Sequence, residues 1–104
     1  MTDRAGITAL GMRPRSAARH KLFEPLAIRH GGLSCRAHML DLSVGGALLH
    51  ADHPPPVGAA VLIEGPELTA GAHIVWTRGK RFGIRFDMPL CDRALQSMLD
   101  RGIA

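Results

Sequence analysis

Two short spacings stand out among the residues able to do chemistry. Arg15-Ser16-Ala17-Ala18-Arg19 sets two guanidinium groups four residues apart. In an extended or loosely turned segment they converge on one anion. Each offers a planar fork that matches a phosphate or the O6/N7 edge of guanine. Asp41-Leu42-Ser43-Val44-Gly45-Gly46 is a D-x-S-x-x-G between two apolar runs. Asp41 can accept from the N1 and N2 hydrogens of guanine, Ser43 can bond a phosphate or a base, and Gly46 permits a close turn. Plainer explanations exist for each. Arg81 and Arg85 repeat the arginine spacing within a strand, where solvated charge is the expectation. An Asx-type turn eased by glycines would account for the second motif. Neither explains why both occur, in this order.

Other combinations carry less. The six histidines, His20, His30, His38, His50, His53 and His73, show no metal-ligand spacing. Cys35 and His38 would face opposite sides of one strand, so no metal site is expected. Asp41, Ser43 and His50 could be imagined as hydrolase parts. No nucleophile elbow positions the serine, and no catalysis is expected. Trp76, in AHIVWT, reads most simply as a core or barrel-rim aromatic. Stacking on a nucleobase is the sharper alternative.

The elements that must position these residues are short and separated by turn signals. Residues 1–12 lack periodicity and read as a flexible tail, leaving residues 13–104 as the domain. Leu22 to Arg29 is a strand that Pro25 pushes toward an edge or a bulge. His30-Gly31-Gly32 marks a turn. In the strand Cys35 to Leu42, alternation puts Cys35, Ala37, Met39 and Asp41 on one face. Arg36, His38, Leu40 and Leu42 take the other. Ala47 to Ala51 follows, and then the stiff Asp52 to Pro56 loop, which cannot enter a central ladder. Ala59 to Glu64, Leu68 to Thr77 and Arg81 to Phe86 complete the strands. Leu90, Ala94, Leu95, Met98 and Leu99 then share one helical face, with Gly102 as the stop. Such spacing argues a small antiparallel barrel or sandwich whose open end the helix covers.

Composition narrows the partners. The chain has 104 residues, 46% hydrophobic and 21% charged, in the range of one globular domain. Its longest apolar run, Ala59 to Ile63, is far short of the roughly 20 residues of a membrane helix. No secretory signal is evident in the opening residues, and Cys35 and Cys91 read as free thiols of a reducing cytoplasm. The net charge is +4. It is concentrated between Leu10 and Leu40, where Arg13, Arg15, Arg19, Lys21, Arg29 and Arg36 face Glu24 alone. A local cationic surface suits a nucleotide, a nucleic acid or an acidic lipid.

R-x-x-x-R ahead of the first strand, followed by D-x-S-x-x-G, resembles a PilZ domain, the bacterial receptor module for cyclic di-GMP. The similarity runs from about Arg13 to Leu90. DLSVGGALL resembles the family motif and its following strand, Val57-Gly58 before AAVLI resembles the next strand's start, and HIVW with RFGIRF resembles the closing hairpin. The resemblance implies a six-stranded antiparallel Greek-key barrel with a carboxy-terminal helix. It also implies a cytoplasmic receptor that is not an enzyme and carries no cofactor. Arg15 and Arg19 would grip cyclic di-GMP from the amino-terminal arm, while Asp41, Ser43 and Gly46 would hold it from the barrel surface. Pro14 is an unusual occupant of a position that influences whether one ligand or a stacked pair binds. With no output domain attached, an unidentified effector protein would receive the signal. Two alternatives stay open: a PilZ-like adaptor without nucleotide binding, and a small basic barrel for single-stranded nucleic acid. The second would be expected to show several exposed aromatics, where alternation puts most of Phe23, Trp76, Phe82 and Phe86 in the core.

Overall fold

The computed structural model describes residues 18–102. Six strands and one helix follow in order: β1 His20–His30, β2 Leu33–Leu42, β3 Gly46–His50, β4 Ala60–Glu64, β5 Thr69–Arg78, β6 Arg81–Phe86 and α1 Asp92–Gly102. All pairings are antiparallel, and the sheet closes into a barrel in the order β1-β2-β3-β6-β5-β4. The Greek-key step is the passage from β3 to β4, which are not neighbours. The proline-rich loop makes that crossing outside the ladders. Its ends are tied by Ala51 N–H to the Lys80 carbonyl at 2.9 Å and Gly58 N–H to the Ile74 carbonyl at 2.8 Å.

Alternation builds the interior. Leu22, Leu26 and Ile28 of β1, Ala37 and Met39 of β2, Leu49, Ile63, Ile74, Phe82 and Phe86 are all buried. Burying side chains of this size contributes about 1.5–3 kcal/mol each against the entropy of ordering the chain. Gly31 and Gly32, at φ 59° and 81°, supply the left-handed backbone that the β1–β2 turn requires. Pro25 lies before the three pairs that β1 makes with β4, where the strand has one neighbour only. Its missing N–H therefore does not interrupt two ladders.

The helix packs on β1 and puts Met98 and Leu99 into the core. Cys91 caps it, accepting from the Ala94 N–H through sulfur at 3.4 Å and from the Leu95 N–H through its carbonyl at 3.0 Å. Arg101, in the last turn, reaches the buried carboxylate of Glu24 on β1 at 4.0 Å. No described helix is long and apolar enough to cross a membrane.

Candidate functional site

Simple alternation does not account for where the candidate residues sit; bulges do. On β2, Met39 pairs with Leu49 and Asp41 with Leu48, which leaves Leu40 as an extra residue. Directly paired residues share a face of the sheet, so Asp41 lies with the half-exposed Leu48 on the outer face. Leu42, paired with Ala47, turns into the core and is fully buried. The expectation that Asp41 shares the face of Met39, and Leu42 that of His38, is thereby reversed. One inserted residue flips every side chain beyond it.

The same device operates on β5. Ile74 pairs with Ile84 inside the barrel, but Trp76 pairs with Gly83, and Val75 is the extra residue. The indole consequently stands outside the barrel, 42% exposed, and not in the core. It lies against the Cα of Gly83, where an added Cβ would collide with the indole nitrogen. Of the four aromatics, Phe82 and Phe86 are in the core, whereas Trp76 and Phe23 are outside it. Phe23 is 61% exposed and stacks on His38 at a centroid distance of 4.7 Å.

Arg19 immediately precedes β1 and reaches Asp41 across the sheet. Its Nε–H donates to the Asp41 carboxylate oxygens at 3.2 and 3.1 Å, and Nη2 stands 3.0 Å from Oδ2. The carboxylate is nearly buried, at 10% exposure, while the arginine side chain remains 65% exposed. Two of the five guanidinium N–H groups are spent on this pair, and among the described residues no further acceptor takes the other three. Arg15, Pro14 and the tail at residues 1–12 lie outside the described residues.

The D-x-S-x-x-G stretch divides its labour. Ser43 closes the turn: its N–H donates to the Gly46 carbonyl at 2.9 Å and its hydroxyl to the same oxygen at 3.3 Å. Asp41 takes no part in that turn, because Arg19 holds it. Gly46 is required for a reason other than the expected tight turn. A Cβ there would run into the Ile84 carbonyl of the neighbouring strand, so glycine lets β3 approach β6. Gly45 has open space around it. The Val44 and Gly45 carbonyls accept from Leu90 and Phe86 at 2.8 and 2.9 Å, locking the loop to the end of β6.

Arg19, Ser43, Gly46 and Trp76 line one small cavity of about 150 Å3. A wider groove of about 550 Å3 continues from Arg19 and Trp76 toward Leu48, Thr77, Arg78 and Arg81. A cavity of that size is in the range of small-molecule sites. Four of the five residues singled out as a ligand site are thus described, and they converge on one outer wall. The sequence alone did not place Trp76 and Arg81 on this wall beside Arg19. The available signal was the register mismatch in HIVW, which strict alternation hides. Ser43 and His50 are not brought together: His50 pairs with His38 along the sheet, and Ser43 bonds within its own turn. Among the described residues no cluster of three potential metal ligands occurs.

No curated protein matches the chain. The family model for the PilZ domain matches residues 13–103, nearly the whole sequence. The closed six-stranded barrel, its terminal helix and that match together show that the chain belongs to the PilZ domain family, a family of cyclic di-GMP receptor domains.

Proposed function

We propose that this protein is a cyclic di-GMP receptor that binds the nucleotide on the outer wall of the barrel and performs no chemistry on it. The observation that carries this reading is the Arg19–Asp41 pair beside the Trp76-lined cavity. An acid is an odd choice next to a dianionic ligand unless it is neutralised and aimed at a base. The pair with Arg19 meets the first condition, and the carboxylate's spare lone pairs support the second. Arg19 balances the charge, and the carboxylate keeps lone pairs that suit the N1–H and N2–H2 edge of guanine. The free N–H groups of Arg19 suit a phosphate or the O6/N7 edge. Ser43, whose hydroxyl hydrogen is used internally, keeps acceptor capacity toward the same cavity. Arg15 adds a second guanidinium from the arm, and binding orders that arm over the ligand. The new surface then signals to an effector protein.

Titration calorimetry with cyclic di-GMP and cyclic di-AMP tests this. Arg15→Ala and Arg19→Ala each remove charge-assisted contacts worth about 1.5–3 kcal/mol, a loss of roughly ten- to more than hundredfold in affinity. Asp41→Ala makes the wall more positive, yet it is expected to weaken cyclic di-GMP and to erode discrimination against cyclic di-AMP, because adenine lacks the donor pair. Tighter cyclic di-GMP binding by Asp41→Ala would overturn the base-reading role. Ordering of the arm is checked separately: saturating ligand should slow protease cleavage between Arg13 and Arg19. Unchanged cleavage would remove the ordering step while leaving binding intact.

A further inference from the structure

Arg19 is the one described motif residue that lines the wider groove beside Trp76. Arg78 and Arg81 are direct cross-strand partners at the tip of the β5–β6 hairpin, both exposed, and both line this groove with Arg19 and Trp76. Like charges placed directly opposite one another destabilise a sheet. The described acids on or beside the neighbouring strands are paired with other bases. Asp52 pairs with Lys80 at 3.4 Å, Asp87 with His73 at 2.6 Å, Glu64 with Arg29 at 3.3 Å, and Asp41 with Arg19. Among the described residues neither Arg78 nor Arg81 makes an ion pair. Two forks therefore converge on a groove of about 550 Å3 beside an exposed indole whose seat on Gly83 excludes any side chain. That combination is the chemistry of a phosphodiester-bearing nucleotide unit: paired guanidinium groups for the phosphate and a flat aromatic for the base.

We propose that Arg78 and Arg81 form a second phosphate clamp, so that the binding wall holds two nucleotide units, one on each side of Trp76. Resting on the receptor function proposed above, this inference places one unit of a cyclic dinucleotide on the Asp41–Ser43 rim. The phosphate of the other lies between Arg78 and Arg81. The hairpin arginines are then affinity residues and not solvated charge. Arg85 lacks this placement: it stands opposite Gly46 and His73, outside the groove lining.

Calorimetric titration of the full chain with cyclic di-GMP compares Arg78→Ala and Arg81→Ala with Arg85→Ala and Arg93→Ala, which remove the same charge elsewhere. A loss of roughly five- to thirtyfold at each hairpin arginine, against less than twofold at the controls, is expected for a lost charge-assisted contact. The Arg78→Lys and Arg81→Lys double variant keeps the charge but loses the forks, and should recover only part of the affinity. Melting temperatures check that each variant is folded. Equal losses at all four positions would overturn the clamp in favour of overall charge. Binding by the wild-type chain with unchanged affinity in Arg78→Ala and Arg81→Ala would overturn the clamp alone and leave the receptor function standing. Absence of cyclic di-GMP binding by the wild-type chain would overturn both.

Discussion

Of the three register irregularities in the barrel, two border the candidate wall, Leu40 on β2 and Val75 on β5, and these two insertions deliver different things. Beyond Leu40 the chain presents a carboxylate that is nearly buried and already held by a guanidinium. Beyond Val75 it presents an indole that rests on a glycine and is 42% exposed. The polar side of the wall is preorganised by its own hydrogen bonds, whereas the aromatic side is a bare platform. A nucleotide needs both: directional partners fixed before it arrives, and a flat apolar face whose solvent it can displace. Under the proposed function, the wall divides these roles between two bulges that face each other across β3 and β6.

Glycine-to-alanine substitutions separate the two sides by the hardness of what lies beneath. The largest effect is expected at Gly46, where an added methyl meets strand backbone and β3 cannot stay in place. Overpacking of this kind costs about 1–3 kcal/mol, a drop of roughly 5–20 °C in melting temperature for a domain of this size. Gly83→Ala meets the Trp76 indole, which can shift, so its melting temperature should fall less while the platform is displaced. Gly45→Ala meets nothing and should melt within a degree or two of the parent. Differential scanning calorimetry of the three variants ranks them. An equal drop at Gly45 and Gly46 would show that the loop, and not the β3–β6 approach, sets the requirement.

A smaller effect on stability, but a clear one on binding, is expected at the platform. Trp76→Ala removes the stacking face at a cost of about 1–3 kcal/mol in affinity, roughly five- to more than hundredfold. Its melting temperature should change less than that of Gly46→Ala, because the indole is outside the core. Trp76 is the chain's single tryptophan, so its fluorescence reports on this wall alone. Cyclic di-GMP should quench or shift that emission in the wild type. A full binding isotherm with unaltered emission would place the ligand away from the platform.

Much of the architecture was legible along the chain because turns and apolar alternation are local. Every strand was expected within a few residues of its observed limits, and the helix with its Met98–Leu99 stripe was expected whole. The polar motif was legible for the same reason. Arg15, Arg19, Asp41, Ser43 and Gly46 announce themselves by type and spacing, and the family follows from their order. What the residues do within the fold was less accessible. Gly46 reads locally as a turn residue, yet its necessity comes from Ile84, thirty-eight positions away in the chain.

Local pattern therefore determined which elements form and which residue types are available to the proposed ligand. Tertiary structure decided the side of the wall on which they stand. A bulge is a mismatch between two strands, and neither strand records it alone. The outward turn of Asp41 exists only because Leu40 has no partner on β3, and that of Trp76 only because Val75 has none on β6. The pairing of Arg19 with Asp41 likewise requires the start of β1 to lie beside the end of β2. The same is true of the groove that joins Arg19 to Arg78 and Arg81, which exists because barrel closure brings distant strands into register.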